Sequence, residues 1–297
     1  MKAAPLITVI MATYNRSNVL PYSIGSVLAQ TRSDLELLVI GDGCTDDSET
    51  IVSALGDERI RWIGLEENSG HQSVPNNRGL AEAQGEYIAF LGHDDIWLPH
   101  HLAECVRVLE EGSDLAYGLC LMVGVDSSGN YLAPAEVPYK SGGLIAPSSV
   151  VHRKSVTDAV GNWKHYSEVK CVPETELWER IFRAGYRMTF VPRLSVIKVP
   201  AAKRKDVYRH RSTQEQVDWQ RRMHADPGFE AREIANCYLN LRSLAPGQIG
   251  TAPYRLLLTN FLREFLFRVV RQLRKPFWKR LSLIEQFRLY KGLKPKP

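Results

Sequence analysis

The first hundred residues alternate short, mostly apolar runs with segments of helical periodicity, and this alternation constrains the fold more than any other feature. Residues 6–11 form a continuous apolar run of strand length, the pattern of a parallel strand buried on both faces. Within 18–30, Leu20, Ile24, Val27 and Leu28 then recur at helical spacing. The second apolar run, 35–40, ends in the turn Gly41-Asp42-Gly43, after which Asp46 or Asp47 can cap a helix through Ile51 and Leu55. Residues 59–64 read as a third strand, 75–84 as a helix and 87–91 as a fourth strand. That strand empties into Gly92-His93-Asp94-Asp95, ahead of a helix over 99–111. Strands alternating with helices of about ten residues predict an α/β domain with a mostly parallel central sheet and helices on both faces. Ligands of such sheets bind outside the carboxyl ends of the strands. The polar turns 13–16, 41–46 and 92–95 are therefore expected to converge on one crevice.

The middle of the chain is more β-like. Residues 115–125 and 131–132 flank a turn at 126–130 and predict a hairpin; 144–151, 187–191 and 195–199 read as strands, and 173–184 as a helix carrying Glu174, Glu176 and Trp178. From Ser212 onward the periodicity is helical throughout. Hydrophobic content of 44% and charged content of 24% suffice for an ordinary core. The five cysteines are scattered without the spacing of a zinc or redox pair, which predicts free thiols in a reducing compartment. No uncharged apolar run reaches the roughly 18–20 residues that span a bilayer, and the N-terminus lacks a cleavable leader pattern, so a cytoplasmic location is expected.

Asp94 and Asp95 are the sharpest chemical signal. Adjacent carboxylates raise each other's pKa unless something positive binds them, and a divalent cation bridging diphosphate oxygens would do so. Helix capping by Asp94 is the competing reading. Four segments then occur in order: Val-Ile-Met-Ala-Thr-Tyr-Asn-Arg (9–16), Leu-Leu-Val-Ile-Gly-Asp-Gly-Cys-Thr-Asp (37–46), residues 68–79, and Gly-Glu-Tyr-Ile-Ala-Phe-Leu-Gly-His-Asp-Asp-Ile-Trp-Leu-Pro (85–99). Together they closely resemble the family 2 inverting glycosyltransferases of the type-A nucleotide-diphospho-sugar fold, over roughly residues 5–215.

The resemblance implies a glycosyltransferase that uses a nucleotide-diphospho-sugar donor and a divalent metal, manganese or magnesium. It assigns Thr13, Tyr14, Arg16, Asp42, Asn77 and His93 to the donor, and Asp94, Asp95 and His210 to the metal. The base is Glu174, three residues before the pair Leu177-Trp178, with Glu176 as second choice; their spacing puts the two on different helix faces. A carboxylate favoured by the first turn of a helix is the bland reading of Glu174, and a solvated basic loop that of His210. The chain departs from the family at Gly41 and Gly92, where aspartates are usual, which puts base recognition and metal affinity in question. The implied division is a nucleotide-sugar-binding and catalytic domain over 1–212 and a helical extension over 213–297.

That extension is strongly basic. From Thr251 onward twelve Arg and Lys face only Glu264 and Glu285, a local charge of +10 in a chain whose net charge is +5. Residues 253–281 mix Phe, Trp and Leu with Arg, a pattern suited to an anionic membrane surface; packing against protein is the alternative. Peripheral attachment would favour a lipid-linked acceptor over a soluble carbohydrate. Nucleic acid is disfavoured, as no recognition motif accompanies the charge. A catalytically weak sugar-nucleotide-binding scaffold and a nucleotidyltransferase remain as competing functions.

Overall fold

A computed structural model describes residues 4–124, 129–201, 204–243 and 290–293. Strands β1 (Ile7–Thr13), β2 (Leu35–Asp42), β3 (Ile60–Leu65) and β4 (Tyr87–Phe90) lie parallel in the order β3-β2-β1-β4. Helices α1 (Leu20–Leu28), α2 (Ser48–Ala54) and α3 (Ser73–Glu82) connect them. The apolar runs are continuous because both faces of these strands are covered. Val9, Met11, Leu37 and Val39 join Leu20 and Ile24 of α1 in one core cluster, whereas Ile10, Leu38 and Ile40 join Leu80 of α3 in another.

Beyond β4 the sheet is mixed. It continues through β8 (Val150–Arg153), β6 (Leu115–Met122) and β9 (Met188–Lys198) to β5 (Ile96–Trp97), with β7 (Tyr131–Ala133) paired to β6. The β6–β7 pair is the expected hairpin. The two short strands expected over 187–191 and 195–199 are instead one, β9. Its pairing with β6 skips from Gly118–Val191 to Leu119–Leu194. The bulge takes up Pro192 and Arg193, so the proline that marks a break in the sequence sits where no ladder bond is needed.

Helix α4 (His101–Glu110) packs Cys105, Val106 and Leu109 into the first cluster. On the opposite face α5 (Lys154–Val160) and α6 (Pro173–Arg183) contribute Val156, Leu177, Trp178 and Ile181 to the second. Helices α7 (Gln214–Ala225) and α8 (Phe229–Ser243) bury Trp219, Phe229 and Cys237 against Ile96, Leu194 and Ile197 at the sheet edge. The cysteines are all unpaired, with Cys105, Cys120 and Cys237 buried and Cys171 exposed. No helix among the described residues is long and apolar enough to cross a membrane. The basic amphipathic stretch 253–281 lies outside the described residues.

Candidate active site

The three polar turns meet at the carboxyl ends of β1, β2 and β4. Asn15, in the left-handed region at φ 48°, joins the first turn to the second: its Oδ1 accepts from the amides of Thr45 (2.7 Å) and Asp46 (3.3 Å). Asp42 is buried and organises the next loop, accepting from Asn68 Nδ2 (2.9 Å), the Ser69 amide (2.9 Å) and Ser69 Oγ (3.0 Å).

Gly41 has a steric reason. A Cβ added there would stand 2.3 Å from Cζ2 of Trp62, whose indole lies across the strand end. Gly41→Asp is therefore expected to lower stability by about 1–3 kcal/mol, the usual cost of overpacking. In urea titrations, Gly41→Asp combined with Trp62→Ala should fare better than the two single losses added together.

In the acidic turn the two aspartates have separate fates. Asp95, 0% exposed, pairs with Lys198 Nζ at 2.6 Å and accepts from Ser148 Oγ (2.5 Å) and the Val199 amide (2.9 Å). Both its oxygens are thereby committed to holding the turn against β9. Gly92 makes room for this arrangement, since a Cβ at 92 would come within 2.6 Å of Asp95 Oδ2. Asp94 instead lines a solvent-open cavity together with Arg16, Lys205, His210, Ser212 and Gln216. About 470 Å³ of space, part of it open solvent, lies between these residues. Burial pushes the Asp94 carboxyl up, but the positive charges of Lys198, Arg16 and Lys291 act against it and the net shift is down.

Arg16 is 2% exposed and lines this cavity. Nη1 donates to the Val207 carbonyl at 2.6 Å, but buried Nε has no partner among the described residues. Thr13 Oγ1 is likewise buried and unmatched. An arginine donor left open in this way on a residue that lines a cavity fits an anionic guest. The segment 204–212 forms the facing wall. Arg16 holds it at Val207, Asn18 Nδ2 holds it at the Arg211 carbonyl (3.0 Å), and Arg211 reaches Asp46 (3.3 Å). Its Tyr208 ring stands 6.2 Å from Tyr14 and edge-on to His93 at 6.3 Å.

His93 is buried and its pKa is lowered by desolvation, so the ring is neutral. Nδ1 lies 3.3 Å from the Ala12 carbonyl, which can only accept, and this assigns the proton to Nδ1. Nε2 then presents a lone pair 4.0 Å from Asp94 Oδ2. Two electron donors facing each other suit a cation between them. Among the described residues no group of three His, Cys, Asp or Glu side chains could hold a metal by itself. The fit is thus to an ion that takes part of its coordination from a bound ligand, as magnesium does with phosphates.

The paired glutamates of α6 also separate. Glu176 is bound to Lys164 Nζ (2.6 Å) and Arg180 (3.0 Å), a structural link across α6. Glu174 is in the first turn, with Oε2 sealed from solvent and unpartnered among the described residues. Burial raises its pKa, opposed by its own backbone amide, Lys198, Gln72 and Lys291. The charges of Lys198 and Lys291 act on both Glu174 and Asp94. Asn77 is turned away from it: Nδ2 donates to the Trp163 carbonyl (2.8 Å) and Oδ1 accepts from the Trp163 amide (3.0 Å).

Three participants escape a motif reading: Lys198, Tyr208 and Gln216, whose Nε2 donates to the Asp94 carbonyl at 3.2 Å. Only Lys198 leaves a trace, as a lone charge in the apolar run Ser195-Val196-Ile197-Lys198-Val199.

Comparison with known proteins bears on this crevice. An uncharacterized glycosyltransferase of Nostoc sp. is 41% identical over 107 residues, 35% of this chain and 33% of that protein. The Escherichia coli protein WfgD, named as a UDP-Glc:alpha-D-GlcNAc-diphosphoundecaprenol beta-1,3-glucosyltransferase, is 33% identical over 136 residues, 45% of this chain and 53% of its own length. The matches therefore span only a third to about half of these relatives. Among solved structures, a mannosyltransferase of Pyrobaculum calidifontis in complex with GDP-Man and a manganese ion superposes with a TM-score of 0.55 at 19% identity, covering 98% of this chain and 84% of that one. At that identity the likeness speaks for the fold, which is the type-A fold of glycosyltransferases. The family model described as glycosyl transferase family 2 matches residues 8–168, the stretch that supplies all three converging turns, and the chain belongs to that family.

Proposed function

We propose that this chain transfers a glycosyl residue from a nucleoside diphosphate sugar to an acceptor hydroxyl with inversion at the anomeric carbon. The observation that carries this reading is Glu174: a desolvated carboxylate with one unpartnered oxygen, sharing the fields of Lys198 and Lys291 with the charged Asp94. In its ionised form Glu174 can accept the proton of a hydroxyl that attacks from the face opposite the departing diphosphate. Arg16, with Nε open, suits the phosphate oxygens, and its fixed donors stabilise charge as it accumulates there. Asp94 and neutral His93, with His210 on the same cavity, would hold a manganese or magnesium ion; when bound, that ion supplies Lewis-acid stabilisation of the leaving phosphate.

The acceptor we infer is a sugar on a lipid carrier, in polysaccharide or glycolipid assembly. The acceptor named for WfgD and the +10 tail, suited to an anionic surface, support it. A thermal-shift screen of nucleoside diphosphates and their sugars, with and without manganese, tests the reading. One nucleotide class should raise the midpoint, and more so with the metal. Stabilisation by nucleoside triphosphates with release of pyrophosphate would instead make the chain a nucleotidyltransferase.

A further inference from the structure

The wall that faces Arg16 carries a cation without a counter-charge. Among the charged residues that line the cavity, Arg204 and Glu215 satisfy each other. Nε and Nη2 of Arg204 meet the two carboxylate oxygens of Glu215, each at 2.5 Å, and Nη1 donates to the Pro200 carbonyl (3.0 Å). The charge of Arg16 offsets that of Asp94, which lines the same cavity. Lys205 is left over, with no carboxylate in ion-pair range among the described residues.

Its place on the wall is braced on both sides. Arg204, buried, is locked to α7 through Glu215, and the Val207 carbonyl accepts from Arg16 Nη1 (2.6 Å). Between them Asp206 takes the left-handed region at φ 51°, a conformation that an aspartate keeps where its surroundings impose it. The Asp206 amide donates to the Tyr290 carbonyl (2.9 Å) and the Tyr208 amide to the Lys291 carbonyl (3.2 Å). Position 205 is thus held at its backbone, while its side chain is exposed along the cavity.

Arg16 gives the second observation. It is 2% exposed, lines the cavity and keeps Nε without a partner among the described residues. An open guanidinium donor and an uncompensated ammonium on the same cavity leave it with surplus positive charge, which suits an anionic guest. We propose that Lys205 is a binding residue for the diphosphate of the donor, meeting it from the wall opposite Arg16. The assignment rests on the function proposed above. A lysine, compact and strongly hydrated, serves phosphate as a point charge without requiring a bidentate fit. As charge accumulates on the departing diphosphate, the same ammonium offsets it.

Isothermal titration on the full chain, with manganese, tests this. UDP, GDP, CDP, ADP and dTDP are titrated first into the unmodified protein to find the preferred nucleotide. Lys205→Met should weaken that nucleotide about tenfold, as expected for loss of one charge-assisted contact, and Lys205→Arg should keep most of the affinity. Arg209→Met is the comparison. Arg209 belongs to the same wall but not to the cavity lining, and it stands 3.6 Å from Asp206. Its loss should change the affinity by less than about twofold, as for an exposed charge away from the ligand. No weakening in Lys205→Met, or an equal loss in Arg209→Met, overturns the contact while leaving the glycosyltransferase reading intact. Should the unmodified protein bind none of the five, that reading fails and this one fails with it.

Discussion

Glu174→Gln is expected to lower kcat by about 10²–10⁴-fold, the usual worth of general-base help, while the donor's Kd stays within a few-fold. The amide keeps the volume of the carboxyl at the start of α6 but cannot take a proton. Burial raises the Glu174 pKa above the ordinary glutamate value of 4.5. The working form is the ionised one, so kcat/KM should fall as the pH drops through this raised value, and the acid limb should vanish in the variant. Glu176→Gln is the internal comparison. Its carboxylate is held by Lys164 and Arg180, and its loss should leave kcat within a few-fold and cost stability at most about 1 kcal/mol. Equal rate losses in the two variants would remove Glu174 from the role of base.

Lys198→Met should lower stability by about 3–5 kcal/mol, because it strands the carboxylate of Asp95, 0% exposed, without its counter-charge. Ser148 Oγ and the Val199 amide still donate to that carboxylate, which favours the lower end of the range. In Lys198→Met combined with Asp95→Asn neither member of the pair is left as an unpaired buried charge, and most of the loss should be recovered. Donor affinity should fall as well, since the field that keeps Asp94 ionised is weakened. Chemical unfolding of the four proteins measures the coupling. A single-variant loss under about 1 kcal/mol would mean that the ion pair does not hold the turn.

The order of strands and helices through Phe90 follows from local periodicity, because apolar runs flanked by helical repeats leave few arrangements other than a covered parallel sheet. The convergence of the turns at 13–16, 41–46 and 92–95 follows from the same handedness and topology. Beyond β4 legibility falls. Pro192 interrupts the strand pattern, yet β9 runs through it on its own bulge, with β6 pairing on either side. At the acidic turn the sequence offers two equivalent aspartates; what separates them is Lys198, 103 residues from Asp95 and adjacent only after folding. Glu174 and Glu176 are separable by helix geometry, but only the packed neighbours say which is bound in ion pairs and which keeps an open oxygen.

By itself the sequence determined the layered α/β architecture, the three polar turns, the family and the basic character of the chain beyond Thr251, because each is written in residues near one another along the chain. The tertiary structure alone decided that Asp95 serves Lys198, that Asp42 serves Asn68 and Ser69, that Trp62 requires a glycine at 41, and that residues 290–291 pair with 206–208. The reason is physical. Periodicity and turn chemistry act over a few residues, whereas burial, charge compensation and steric exclusion depend on which distant segments the fold brings within a few ångströms of each other.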